Sequence, residues 1–296
     1  MQTLSEDKNF LAIEEQFSNY EDSKIVILQV PYEHTVSYGG GTKLAPQAIL
    51  DASAFVEFYD DEFNSELCFE QKIATLPPVD LTDCYDDEML RKVRYFIDKL
   101  LADNKFVVTL GGEHTISTAP IAAHFSKYKN MSVLHFDAHS DLRDEYQSSK
   151  YSHACFMARV SEFFPTEQIT QVGIRAQCRE EAEFIKRNNI NTFYASAIRR
   201  GLHSQNWQKQ IVNTLGSEVY ITFDVDYFDP AIMPTTGTPE PDGFLYNETL
   251  NIFREIKASG RKIIGFDVVE LAPVQNIHHT DILVARLIYK LMNFAF

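Results

Sequence analysis

Six short apolar runs, at 24–30, 106–110, 131–137, 169–175, 219–226 and 262–270, most constrain what this chain can fold into. They are rich in Val, Ile and Phe, and several are apolar on both faces rather than alternating. Strands of that kind sit between two covering layers, as in a parallel sheet sandwiched by helices. Helix-period stretches lie between them. In the clearest, Asp86–Ala102, Leu90, Val93, Ile97 and Leu100 recur at three- and four-residue steps behind a start rich in Asp and Glu. Related patterns occupy 115–129, 180–188, 246–259 and 281–292. This order predicts an α/β fold, a three-layer α/β/α sandwich with a mostly parallel central sheet. No repeat, low-complexity segment or linker interrupts it, so residues 1–296 read as one domain. Two long loops, 31–46 and 229–243, are candidates for function.

The ends of four runs carry the chemistry. His114 follows the run 106–110, while Asp137, Asp226 and Glu270 close theirs. Ligands of open parallel sheets bind outside such strand ends. In HFDAHSD, Asp137, His139 and Asp141 stand at every second position, as do Asp224 and Asp226 in FDVD. On a strand or its extended end, that spacing aims the side chains one way. With His114 of GGEH they make four Asp and two His. So many converging donors repel one another unless cations lie between them, and their number suits two ions. A set rich in carboxylate and free of thiolate fits a hard or borderline divalent ion, Mn²⁺ ahead of Mg²⁺, with Zn²⁺ also open. Two ions about 3.5–4 Å apart can share a water and lower its pKa to about 7. His153 is then a candidate proton carrier and Glu270 a candidate holder for a cation. Each also has an ordinary reading, as a helix-start histidine or a surface ion-pair partner.

The formal charge of −15 argues against a nucleic-acid partner, which needs basic patches. It fits a small cationic substrate, though a solvated acidic surface explains most of such an excess. The four cysteines, Cys68, Cys84, Cys155 and Cys178, form no CxxC pair and read as free thiols of a reducing cytosol. No apolar run approaches the length of a membrane span, and the polar start is unlike a signal peptide. A cytoplasmic protein is expected. His34, His124, His203, His278 and His279 lack carboxylates at ligand spacing and read as structural or exposed; Asp229, before Pro230, reads as a turn residue.

The ordered motifs GGEHTIS, HFDAHSD, SHACF, FDVDYFDP, TTGTPEPDG and GFDVVELAP resemble those of the ureohydrolases, the arginase and agmatinase family. The resemblance runs from the 31–46 loop to Glu270, and TVSYGGGTKLAP with DLRDEY and KYSHA is most similar to the short agmatinase branch. It implies two Mn²⁺ ions, one held by His114, Asp137, Asp141 and Asp224, the other by His139, Asp137, Asp224 and Asp226. It implies a proton-shuttling His153, a guanidinium-pairing Glu270 and a site-lining Thr238. The implied reaction is hydrolysis of a guanidino compound by a metal-bridging hydroxide, agmatine giving putrescine and urea. Assembly as a trimer or hexamer is also implied.

Some positions depart from the family pattern. Asp242 stands where many relatives have Gly, SYGGGT lacks the Arg-Pro common in the short agmatinases, and Arg143 replaces the Asn of the arginases. The first two bear on the substrate's tail, and the third disfavours arginine. Asp144 and Glu145 could attract a distal ammonium, or simply face water. Guanidinobutyrate or arginine remains an alternative substrate. A deacetylase- or phosphoesterase-like enzyme and a non-catalytic metal-binding relative are the readings from other classes.

Overall fold

The computed structural model describes residues 1–203 and 205–296. Its centre is an eight-stranded, all-parallel sheet, with strands in the order β2-β1-β3-β8-β7-β4-β5-β6. The strands are β1 (Ile25–Val30), β2 (Ile73–Thr75), β3 (Phe106–Gly111), β4 (Ser132–Phe136), β5 (Ile169–Val172), β6 (Asn191–Phe193), β7 (Glu218–Asp224) and β8 (Lys262–Val269). All six apolar runs contain strands. The two three-residue edge strands, β2 and β6, lie outside those runs and are too short to leave a periodic signal. The β2 edge is partly covered, because Leu4 donates its backbone N–H to the Thr75 carbonyl (2.9 Å).

Alternation along β1 shows why the runs are apolar throughout. Ile25 and Ile27 pack with the helices Ala45–Ser53, Tyr246–Ala258 and His278–Ala295. Val26, Leu28 and Val30 face the opposite layer, where Asp86–Ala102 and Thr118–Lys127 lie. Each such side chain contributes roughly 1.5–3 kcal/mol when fully buried. Asp86–Ala102 buries Met89, Val93, Ile97, Leu100 and Leu101; Leu90 is only partly buried, so the stripe begins one residue earlier than expected. The stretch 115–129 divides into a 3₁₀ turn, His114–Ser117, and the helix Thr118–Lys127. The helix Ala45–Ser53, with Pro46 in its first turn, was hidden behind the long-loop assignment. Among the described residues, no helix is long and apolar enough to cross a membrane.

A register shift between β7 and β8 sets Val219 opposite Ile263 but Tyr220 opposite Gly265. The buried His124 ring fills the space above Gly265 and lies 4.6 Å from the Tyr220 ring. Burial, the largest cause, pushes the His124 pKa down to about 4, so this histidine is a neutral packing group. A methyl group on Gly265 would collide with its Nε2. Gly265→Ala is therefore expected to cost about 1–3 kcal/mol. The double variant with His124→Ala should be less destabilised than the sum of the two single changes. Urea denaturation of all four proteins checks this; strict additivity would show that the two sites do not share this space.

Candidate active site

The donors lie at or just beyond the carboxyl ends of β3, β7 and β4, and Glu270 follows β8; these four strands are adjacent at the middle of the sheet. β3 leads into Gly111-Gly112-Glu113-His114. Gly112 must be glycine because a Cβ there would strike the Tyr32 carbonyl oxygen, which accepts the N–H of Glu113 at 2.9 Å. His114 is fully buried and stacks on Phe156, with ring centroids 3.8 Å apart. Its Nε2 is 2.9 Å from the Thr222 hydroxyl, which donates to buried Asp267 at 2.8 Å. Ser117 and Tyr220 donate to the same carboxylate. With its own proton given to Asp267, Thr222 accepts from Nε2–H of His114. Nδ1 is thereby left facing the acids.

Three carboxylate oxygens gather around that nitrogen. Oδ2 of Asp137, Asp224 and Asp141 lie 3.0, 3.1 and 3.4 Å from it. A neighbouring group forms around Nδ1 of His139, with Asp226 Oδ2 at 2.9 Å and Asp137 Oδ1 at 3.6 Å. Asp137 thus turns one oxygen to each group. Burial raises both Asp224 and Asp141 well above the carboxylate range, and Asp226 and Asp137 respectively push them further. His139 resists the burial that would lower it, and Asp226 and Asp137 hold it well above its ordinary value. The bare Nδ1 of His114 has no proton to offer these oxygens, and the excess negative charge matches a pair of divalent cations in a donor set of oxygen and nitrogen. Cys155, also nearby in sequence, has its thiol pushed up to about 12 by burial and turned to the Ser149 carbonyl at 3.8 Å.

The every-second-residue spacing converges here by a route other than strand pleat. β4 stops at Phe136, and Asp141 adopts a left-handed backbone (φ +52°) that turns its side chain back toward Asp137. Asp224 ends β7, whereas Asp226 lies in a 3₁₀ turn and receives no ladder bond. His135 joins the cluster without having been anticipated. Its Nδ1 faces the Gln171 amide nitrogen (3.1 Å), so its Nε2–H donates to Asp137 Oδ2 at 2.7 Å. It therefore orients a carboxylate. Its place two residues before Asp137, in the same alternation, was the available signal.

Above the cluster is a cavity of about 240 Å³ whose wall includes Ser37, Arg143, His153, Thr238, Glu240 and Glu270. Both long loops form it, touching where the Gly39 N–H donates to the Gly237 carbonyl at 3.1 Å. Glu270 is not the exposed ion-pair partner of its ordinary reading. It adopts φ +65°, and its Oε1 accepts the His114 N–H at 2.7 Å. Burial, then the Glu113 charge, pushes its carboxyl up to about 8. His153 opens a 3₁₀ turn capped by Ser152. Burial, then His139, pushes its ring down to about 4.

The other acids singled out in the sequence lie elsewhere. Asp242 faces Arg199 at 3.7 Å, Asp144 accepts from Arg159 at 2.8 Å, and Glu145 is exposed. Arg143 does line the cavity, lying over the Tyr146 ring (5.1 Å) with Glu181 at 3.8 Å. Arg175, not anticipated, ties the cavity wall together by donating to the carbonyls of Asp226 (2.6 Å), Glu240 (2.9 Å) and Pro241 (3.1 Å). Asp229 has the expected turn role, accepting the N–H groups of Ala231 and Gly243. A larger cleft of about 630 Å³ beside Phe55 and Ile282 includes His278 and His279 but none of the grouped donors.

The model of the arginase family matches residues 23–293. An N(1)-aminopropylagmatine ureohydrolase from Synechocystis is 37% identical over 294 residues, spanning 97% of this chain and 94% of that protein. An agmatinase from Bacillus cereus is 33% identical, over 89% of this chain and 88% of its own. The crystal structure of an agmatine ureohydrolase from Thermoplasma volcanium superposes with a TM-score of 0.82 at 26% identity, covering 100% of this chain and 94% of the other. The chain belongs to the arginase family, whose members are binuclear-metal hydrolases of guanidino compounds.

Proposed function

We propose that this protein hydrolyses agmatine to putrescine and urea with two Mn²⁺ ions bound. The observation that carries this reading is the split of the Asp137 carboxylate between two imidazole-containing groups. One ion would be held by His114, Asp137, Asp141 and Asp224, and the other by His139, Asp137, Asp224 and Asp226. When bound, the ions supply an activated water and positive charge for the developing tetrahedral centre. Glu270 binds the planar guanidinium, whose positive charge would offset the burial and the Glu113 charge that disfavour its carboxylate. Thr238 lines the guanidinium end. His153, uncharged at rest, takes up a proton given up by the attacking water and passes it to the departing amine as the C–N bond breaks. Asp141 acts through the metal it holds.

The carboxylates of Glu240 and Glu270 on the wall favour a cationic chain over a carboxylate-tailed one. Arg143 could accept an acid tail, but its guanidinium already has Glu181 and Tyr146 beside it. The similarity to the Synechocystis ureohydrolase favours a second reading, in which the amine carries an aminopropyl extension. A cytoplasmic setting fits the four free thiols. Assembly into trimers or hexamers rests on the family resemblance alone.

Urea release from agmatine, N(1)-aminopropylagmatine, guanidinobutyrate and arginine, with Mn²⁺ titrated, tests the proposal. Agmatine should lead; preference for the aminopropyl compound selects the second reading, and no urea from any guanidine overturns both. Asp137→Ala should abolish turnover and lower the metal content below about two ions per chain. Elemental analysis beside the assay checks this, and near-normal turnover would refute the shared ligand. His153→Ala should slow turnover by ~10²–10⁴ while both metals stay bound. Loss of metal instead would make His153 a ligand.

A further inference from the structure

The 31–46 loop grips the site through one buried carboxylate. Glu113 is 2% exposed, and its oxygens serve residues 34 and 35. Oε1 accepts the backbone N–H of His34 at 2.6 Å and that of Thr35, while Oε2 accepts the Thr35 hydroxyl at 2.7 Å. The Thr35 proton is thus committed to Glu113, and its oxygen is left as an acceptor. Two nitrogens of His153 point at it, the backbone N–H and Nδ1, each at 3.1 Å.

We propose that Glu113, acting through Thr35, holds His153 as the Nδ1–H tautomer and so reserves Nε2 as the nitrogen that exchanges protons with the substrate. Both Glu113 and Thr35 are positioning residues. The inference rests on His153 as the proton carrier. Nε2 lies 3.3 Å from the Ser37 hydroxyl, which can donate to its lone pair, and both side chains line the cavity. In the opposite tautomer, Nδ1 and the Thr35 oxygen would face each other as two acceptors at 3.1 Å. Burial keeps the ring uncharged, so the position of its single proton decides which nitrogen is basic. The arrangement parallels the carboxylate–histidine pair of serine hydrolases, with one hydroxyl interposed. It also gives the GGEH motif a second task, one residue before His114.

Three substitutions separate this role from simple loop support. Thr35→Val keeps the shape and removes the hydroxyl, and Thr35→Ser keeps the hydroxyl. Glu113→Gln can still accept the two backbone N–H groups but turns an amide N–H toward Thr35. That reverses the hydroxyl, which must then donate to Nδ1. With Mn²⁺ bound, Thr35→Val and Glu113→Gln should each lower kcat on agmatine at least ~10-fold. KM should stay within about threefold, bound metal should be unchanged, and Thr35→Ser should recover most of the rate. A second readout needs no turnover. In ¹⁵N-histidine spectra of the magnesium-loaded protein, with His153 assigned by loss in His153→Gln, the ring should be Nδ1–H in the unmodified chain and shift toward Nε2–H in Glu113→Gln. Wild-type kcat in Thr35→Val, an equally slow Thr35→Ser, or an Nε2–H ring in the unmodified chain would overturn the proposal. If the unmodified enzyme releases no urea from any guanidine, the functional reading fails instead, and the spectra still decide the tautomer.

Discussion

Negative charge gathered in one buried place is the constraint on which the rest of this structure depends. Asp137, Asp141, Asp224 and Asp226 are all buried, within reach of two imidazoles. Mutual repulsion opposes such a grouping, so it needs a rigid frame. Here the acids are delivered by the ends of two adjacent strands, β4 and β7, with His114 after β3 and Glu270 after β8, and main-chain ladders fix the positions of all four. β3 and β4 are consecutive in sequence, yet β8 and β7 lie between them in the sheet. The chain must cross from one half of the sheet to the other, and the crevice left at that crossing is where open parallel sheets place their ligands.

Around the acids, the same local device recurs. Asp267 fixes a threonine that fixes His114. Glu113 fixes a threonine that meets His153. Gln171 replaces the carboxylate and acts directly on His135. In each case a group in the interior sets which ring nitrogen carries the proton: His114 and His153 turn the bare nitrogen to the site, whereas His135 turns its N–H to Asp137. His114 faces the acids with Nδ1 and His153 faces the cavity with Nε2, and in each the direction of one hydrogen bond supplies the choice.

How much of this could be read in the sequence depended on the length scale of each signal. The central strands were legible because double-sided burial makes them continuously apolar; the three-residue β2 and β6 were not, since no period can be defined over three positions. The donor residues were visible as types at a spacing, although the pleat inferred for them ends at Phe136 and a left-handed Asp141 completes the grouping. Arg175 was invisible because its partners are backbone carbonyls, which have no letter in a sequence. Asp144 is as suitable by residue type for a cationic substrate as Glu240, and Asp242 by its place in the loop bears on the substrate's tail. Only the fold shows that Arg159 and Arg199 face them while Glu240 remains on the wall. The family resemblance pointed to the correct family and fold from motifs alone.

The shortness of the sheet's two borders bears on how copies of this chain could meet. β2 and β6 present three residues each, and the segment around Leu4 already occupies a carbonyl of Thr75 on one side. Neither border offers the long unpaired row of amides on which a foreign strand could template itself. Such borders disfavour a continuous sheet running from one molecule into the next and leave helix surfaces and loop rims, where charge and shape discriminate, as the faces for contact between molecules.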